Sequence, residues 1–545
     1  MLTAHDTVRS ANQGQPSPVI RIYNTLSKAK EVFQPLSPPS VGIYLCGPTV
    51  YKPCHIGHMV GPVIFDTVKR YLSYCGYRVT LVINITDIDD KLIVESQRRG
   101  MTVAQLAEEV TADYMANLLA MGVDTVDHFP RAAAHIDEII RFTEALVARE
   151  FAYVADGGDV YFDVAKDREY GKLSHRELES MQGEGGDMRE RKRSLADFAL
   201  WKGAKPDEPS WPSPWGNGRP GWHIECSAMS RRLLGESFDI HGGGLDLVFP
   251  HHENEIAQSE CCHGKPQAKY WMHNGLMQAA DEVGKVGGRN TRSADEPDAL
   301  AQAAGKLAKS KGASPLAELL KRFSPETIRL FLLSSHYRRP IYFSEDRIRE
   351  AETSLDTFYR FFQRYERIVG ESFYSLVPRA SRGADLATSA EADSAAVEIF
   401  DAHRRRFLEA MDDDFNTGGA IGDLFELVRA LNKHVDMARL EEAAANTPKN
   451  RATLQYGTAV LRELAAVLGL FRVPVRDSGS DDALVEDLLK LLVAMRGEAR
   501  QAKNFALADR IRTGLAELSV TLEDRPGGTV WTIQRSATPS RTGST

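Results

Sequence analysis

Three things are scarce in this chain, and each absence narrows what it can be. Cysteine is scarce: six in 545 residues, scattered at Cys46, Cys54, Cys75, Cys226, Cys261 and Cys262, too few and too uneven for a disulfide framework. A reducing cytoplasm is therefore expected, with thiols kept for chemistry. Long apolar runs are missing. No stretch approaches a bilayer-spanning length, and Met1 to Ile20 is polar without the apolar core of a secretory signal, so it reads as a frayed extension and no membrane partner is expected. An excess of basic residues is missing too. The net charge of −8 argues mildly against a nucleic-acid binder, yet phosphate recognition needs only a local basic face, and a low total charge limits non-specific RNA binding.

What is present fits a large soluble protein of three or four domains, with 43% hydrophobic and 26% charged residues. The most informative stretch is His55-Ile56-Gly57-His58. It follows an apolar strand-like run, Val41 to Cys46, and a Gly47-Pro48 breaker, and leads into the helical pattern Met59 to Tyr74. That is where a parallel α/β sheet presents its ligand-binding edge. Two histidines one turn apart can both face a phosphate at a helix start, where unpaired backbone N–H groups already favour an anion. Alone, such a pair reads equally as a solvated first turn or a metal pair. Lys306-Leu307-Ala308-Lys309-Ser310, far downstream, supplies the second half of a signature. Together the two runs resemble the HIGH and KMSKS motifs of class I aminoacyl-tRNA synthetases.

The fold expected is a Rossmann-like α/β catalytic domain with a parallel sheet, an inserted α+β connective domain, an α-helical bundle and a small α+β C-terminal module. Residues 1–19 form the extension and 20–115 the first catalytic half, in which Val79 to Ile85 is a strand ending at Thr86-Asp87-Ile88-Asp89-Asp90-Lys91, acidic groups placed for ribose or ammonium contacts. The connective domain spans 116–221, with a hairpin, Tyr153 to Phe162, turning about Asp156-Gly157-Gly158. The second catalytic half covers 222–342, with Gly242-Gly243-Gly244 after the strand Phe238 to His241 and a low-complexity insertion, 278–304, before the lysine run. Ser324-Pro325-Glu326 caps a helix through Leu333. The bundle occupies 343–475, opening with an amphipathic helix from Ser344 to Val369. A C-terminal module, 476–535, has two helices and a hairpin, Val520 to Trp531, turning at Pro526-Gly527-Gly528; 536–545 is a disordered tail.

His251 and Glu255 lie four apart in a segment that Pro250 can start as a helix, so both project from one face. The bland reading is a solvated His–Glu contact. Cys46 and Cys226 fit no zinc-finger spacing, but both sit at element ends opening on the same crevice, and two thiolates with an imidazole and a carboxylate make a donor set that prefers Zn²⁺ to magnesium.

The runs Tyr44 to Tyr51, Asn84 to Lys91, Gly221 to Ser227, Phe238 to Gly244, His251 to Ile256 and Met411 to Thr417 are similar to those of cysteinyl-tRNA synthetases, over nearly all of residues 20–535. The resemblance implies one zinc held by Cys46, Cys226, His251 and Glu255, and ATP met by Lys309. It implies cysteine activated by ATP with Mg²⁺ and passed to the 2′-OH of the terminal adenosine of cysteine tRNA. Catalysis then falls to His55, His58, Lys306 and Lys309; nucleotide contacts to Gly57, His58, His241, Gly242, Gly243, Asp246 and Lys309; amino-acid contacts to Thr86 and Trp222. Zinc would make the substrate sulfur the recognition handle, where an apolar pocket discriminates poorly between cysteine and serine. The lysine run departs from the family pattern at Leu307 and Ala308, and at Lys311 beyond it.

Arg496, Arg500, Lys503, Arg510 and Arg512 form either an anticodon-facing patch, with Asp509 reading a base edge, or a solvated charged helix. The chain is expected to act as a monomer. Two other classes compete with the synthetase: an ATP-dependent ligase joining cysteine to an aminosugar, and a non-enzymatic RNA-binding protein with a structural zinc. Residues 395–535 argue against the first, since a small acceptor needs no anticodon module, and the intact histidine and lysine pairs argue against the second.

Overall fold

The computed structural model describes residues 19–176, 191–279, 315–384, 392–474, 480–518, 520–525 and 528–533. The extension up to residue 18, the lysine run 306–310, all but the first two residues of the 278–304 insertion, and the tail lie outside them. Contacts divide the chain into two compact units, Met1–Arg472 and Val473–Thr545.

The first unit is built on four parallel strands, β1 (Ser40–Leu45), β2 (Arg78–Ile83), β3 (Phe238–Gly244) and β4 (Ala268–Asn274), in the order β4-β3-β1-β2. The C-terminal halves of β1 and β2 are apolar on both faces, as strands covered by helices on two sides must be. Ile43, Leu45, Ile83 and Ile240 point into one core, shared with α1 (Val60–Tyr74), whereas Tyr44, Val82, Phe238 and Trp271 point into another, shared with α2 (Trp222–Leu234) and α3 (Glu253–His263). The register aligns Leu45 with Ile83 on one side and with Gly242 on the other. The chain thus leaves β1 for β2 and reaches β3 only after a long excursion, which makes the C-terminal ends of β1 and β3 a topological switch point, the place where such sheets bind ligands.

Gly242, Gly243 and Gly244 belong to β3 itself rather than to the loop after it. A Cβ on Gly242 would lie 2.2 Å from the Phe65 ring of α1, and one on Gly243 would lie 2.6 Å from the His252 ring. The glycines let the strand pass between a helix and an imidazole.

Between β2 and α2 lie the helices Asp90–Arg99, Val103–Ala120 and Ile136–Ala148 and an antiparallel sheet of Ala152–Val154, Val160–Phe162, Phe198–Gly203 and Gly218–Pro220. Its first two strands form the expected hairpin, turning through Gly157 and Gly158 at φ of +84° and +85°, where a side chain would be strained. Val160, Phe162 and Trp201 pack in the same core as Tyr44 and Trp271, so this region is welded to one face of the catalytic sheet.

Ser324 accepts a hydrogen bond from the Thr327 N–H at 3.0 Å and starts the helix Pro325–Leu333, and Ser344 likewise caps Glu345–Val369. These helices, with Ser394–Asp412, Thr417–Met437 and Pro448–Val467, continue the core that contains α1. The second unit has helices Ser480–Gln501 and Phe505–Glu517, a hairpin of Val520–Arg525 with Gly528–Ile533, and a small core around Leu489, Leu515 and Val520. Among the described residues no helix is long and apolar enough to cross a membrane.

Candidate active site

His55 sits beyond the end of β1, and Ile56–Met59 make a single 3₁₀ turn before α1 begins at Val60, so the histidine pair precedes the helix instead of occupying its first turn. The His55 N–H donates to Nδ1 of His58 at 3.3 Å, and the two rings stack with centroids 3.7 Å apart. Burial lowers the His55 pKa; burial and then His55 push His58 down to about 3. Both imidazoles are therefore neutral at pH 7. The chain leaving the lysine region comes back to this point: Pro315 pairs with His55, and the Leu316 N–H donates to the Cys54 carbonyl at 2.7 Å. The chain entering that region is held by the parallel pairing of Met277–Ala279 with Ile341–Phe343. Lys306 and Lys309 themselves lie outside the described residues.

Cys46 follows β1, Cys226 stands on α2, His251 comes from the turn just before α3 and Glu255 from the first turn of α3 itself. These segments converge so that the four ligand atoms lie within 4.8 Å of one another. The two Sγ atoms are 3.8 Å apart, so these are free thiols rather than a disulfide, and Cys46 Sγ is 3.4 Å from Glu255 Oε1. His251 Nε2 lies 3.1 Å from the same oxygen, the i to i+4 contact that their spacing predicts, but in a buried cluster instead of at a solvated helix start. The hydrogen bond from Cys46 sets the Cys226 thiol down to about 6 despite burial, while burial pushes Cys46 up. Burial opposes charge on His251 and Glu255, yet Glu255 and Cys226 hold His251 up at about 10, and His241 and His251 hold Glu255 well below the usual carboxylate range. Two sulfurs, an imidazole and a carboxylate with one thiolate already favoured suit a zinc ion.

Four histidines that spacing alone does not single out as a group surround these donors. His223 Nδ1 is 2.9 Å from His251 Nδ1, and His252 Nδ1 is 2.8 Å from His273 Nε2. His241, expected with Gly242 and Gly243 to meet the nucleotide, instead turns its fully buried ring into the cluster: Nε2 is 2.9 Å from Glu255 Oε2, and the ring stacks on Trp271. With His252 it completes a second group around Cys46 and Glu255. The alternation of β3 decides this, because His241 shares Tyr44's face of the sheet. Glu225, which spacing does not single out either, is fully buried beside Cys226, and burial raises its pKa well above the usual range.

Trp222 is the first residue of α2, and its ring stacks on His251 with centroids 4.3 Å apart. Thr86 is buried, accepts from Asn84 Nδ2 at 3.3 Å and bridges Thr49 beside β1. Gly57 stands between the two histidines in the chain, where an added Cβ would come to 3.0 Å from the His55 ring, and Asp246 is half-buried in the turn after β3. Asp509 is exposed and 3.5 Å from Arg512, the i to i+3 pair of a solvated helix. Arg496 is buried and cannot join a surface patch with Arg500, Lys503, Arg510 and Arg512, which are exposed.

A parallel sheet with a switch point beside β1, a histidine pair just past that strand and a long insertion before β3 define the class I tRNA synthetase catalytic architecture. Residues 32–287 match the family model for the catalytic domain of class I (C) tRNA synthetases, and residues 406–472 match the DALR domain. The fold is similar to that of methionyl-tRNA synthetase from Mycobacterium tuberculosis in complex with methionyl-adenylate, at a TM-score of 0.55 and 14% identity, covering 79% of this chain and 91% of that one. Over 94% of its length the chain is 45% identical to a cysteine--tRNA ligase of Symbiobacterium thermophilum and 46% identical to one of Alkalilimnicola ehrlichii, spanning 99% of each. A Thermococcus gammatolerans relative of the same name is 41% identical, with 94% and 98% covered. The chain belongs to the cysteine--tRNA ligase family.

Proposed function

We propose that this enzyme activates L-cysteine with ATP and Mg²⁺ and transfers it to the terminal adenosine of cysteine tRNA, and that Cys46, Cys226, His251 and Glu255 hold one zinc ion that selects the substrate. Family membership supports the overall reaction. The zinc reading rests on one observation: four donors from three distant segments meet in a buried cluster at the sheet's switch point. A zinc ion bound there supplies a soft Lewis acid that prefers a thiolate to an alcohol and lowers the pKa of the group it holds.

The chain's own residues do the rest. Trp222, stacked on His251, and Thr86, beside β1, flank the amino acid. His55 and His58 act as neutral N–H donors to the phosphates, which hold charge in place without adding a proton to be moved, while Gly57, Gly242, Gly243 and Asp246 shape the nucleotide side. Lys306 and Lys309 with Mg²⁺ neutralise the departing pyrophosphate. No side chain need act as general base, since positioning and charge neutralisation dominate both steps. Asp509 and the exposed arginines of the second unit face the anticodon; the enzyme works as a cytoplasmic monomer.

Cysteine binding should release about one proton below the free thiol pKa of roughly 8.5, and serine should bind weaker by several kcal/mol, because its hydroxyl is not deprotonated there. Calorimetry in two buffers of different ionisation enthalpy measures the proton directly. Binding without proton release and with equal affinity for serine would reject the zinc reading.

A further inference from the structure

The run Met411-Asp412-Asp413-Asp414-Phe415 ends the helix Ser394–Asp412, and its three acids go three ways. Asp412 accepts from Tyr71 of α1 at 2.6 Å and from Arg382 at 2.8 and 2.9 Å, and Asp413 pairs with Lys30 at 2.8 Å. Asp414 is fully buried, and it and Phe415 both have left-handed backbones, at φ of +64° and +49°. For Phe that conformation is strained and persists only where its surroundings enforce it.

The Asp414 carboxylate gathers donors from two segments of the catalytic half. Oδ1 accepts the Tyr23 N–H at 2.8 Å and the Tyr337 hydroxyl at 2.7 Å; Oδ2 accepts from Arg338 Nε at 2.8 Å, with His336 Nε2 at 3.4 Å. Each segment leads on. Tyr337 receives the Gly275 N–H on its carbonyl at 2.8 Å, just before the strand pair Met277–Ala279 with Ile341–Phe343. From Tyr23 the chain runs into Asn24, whose Oδ1 accepts the Trp271 N–H at 3.0 Å, and Thr25, whose Oγ1 is 2.8 Å from His273 Nδ1. His273 reaches His252, next to His251, and Trp271 lies under His241. A continuous line of hydrogen bonds and covalent steps therefore runs from a strained helix end to the back of the metal cluster.

We propose that Asp414 is a positioning residue for cysteine activation: through Tyr23, Thr25 and Tyr337 it lets the helical region set the end of β4 and the histidines that orient the candidate zinc ligands. A connected network anchored at a strained element can couple its two ends, and double-mutant cycles, unlike proximity alone, measure that coupling. The proposal rests on the cluster being the cysteine site. Zinc content and the preference for cysteine over serine, measured on the wild type, test that site separately from the path.

In the full-length zinc-loaded enzyme, D414N should keep its zinc and its KM for cysteine while kcat for ATP–pyrophosphate exchange, per titrated active site, falls on the order of 10-fold. Thr25→Val, at the other end of the path, should lose a similar factor, and the double variant no more than the larger single loss. A merely structural Asp414 would lower thermal stability and leave kcat per titrated site unchanged, or the two losses would multiply; either result overturns the proposal. Should D414N fail to fold, Tyr337→Phe, which removes one hydroxyl, replaces it in the cycle with Thr25→Val, and multiplicative losses or an unchanged kcat overturn the proposal in the same way.

Discussion

The two units differ most in which residues they contain. All 15 histidines and all six cysteines fall in residues 1–472; residues 473–545 have none of either. In the first unit an extensive core seals a cluster of titratable groups away from water, where modest changes of protonation carry large energetic weight. In the second, the described core is three residues with their neighbours, and Leu491, Phe505 and Leu518 are 56%, 61% and 74% exposed. Chemistry needs the first kind of environment. Recognition of a large polar partner can be carried by the second, with charges that water can screen and a partner can displace.

The sharpest way to break this contrast is at the cluster. Cys226→Ser should remove bound zinc and with it the preference for cysteine, a change in the cysteine-to-serine ratio of exchange activity on the order of 10³ if several kcal/mol of discrimination reside there. Metal analysis and exchange with each amino acid read it out; a folded, zinc-free variant that still rejects serine would make the metal purely structural. Next in size, Lys309→Ala should cut adenylate formation on the order of 10²-fold with cysteine binding nearly intact, since a contact made in the transition state is lost. A raised KM for cysteine at constant kcat would refute that role.

Deleting residues 478–545 should leave exchange within about two-fold and weaken tRNA charging by roughly 10-fold or more, if recognition and chemistry divide as the units do. Collapse of exchange in a folded truncation would show that the division is wrong.

The smallest effect is a pH window. His58 and His273 are held at about 3 and His336 at about 4, burial being the main cause in each. Their folded pKa values lie below the ordinary 6.5, so the unfolded chain takes up protons first as pH falls. Stability is then complete above about 6.5 and declines toward 3 to 4. Between pH 7 and 5.5 each costs the first unit on the order of 1 kcal/mol, and the histidine-free second unit loses nothing by this route. Hydrogen exchange, corrected for its intrinsic pH dependence, should show protection falling in residues 19–472 only. Equal loss in both units would dissociate the effect from the buried histidines.

Features that depend on near neighbours are legible in the amino-acid sequence. Ser324-Pro325 and Ser344 announce helices because a cap acts within one turn, and Gly157-Gly158 announces its hairpin because only glycine takes that backbone without strain. The pairing of β1 with β3 is not legible from periodicity, since it joins residues about two hundred apart, and with it goes the fate of His241: whether that ring faces nucleotide or metal depends on which neighbour the strand has, and strands carry no local mark of that. The ligand quartet is legible only in part: spacing alone leaves His251 and Glu255 as a surface pair, and what joins them to Cys46 and Cys226 is the inference that those element ends open on one crevice, sharpened by family resemblance. Arg496 shows the opposite error, a charge that helical spacing assigns to the surface although its helix buries that position.

The separation of Cys46 from its partners also has a consequence in time. The last of the four donors, Glu255, comes 209 residues after Cys46, from 255 minus 46. At synthesis rates of about 5–20 residues per second, roughly 10–40 s pass on the ribosome during which Cys46 exists without the residues that will enclose it. Throughout that interval the growing chain cannot assemble the complete quartet, so the proposed zinc could be bound by all four donors only after more than two-fifths of the protein has been made, and until then the Cys46 thiol depends on the reducing power of its surroundings.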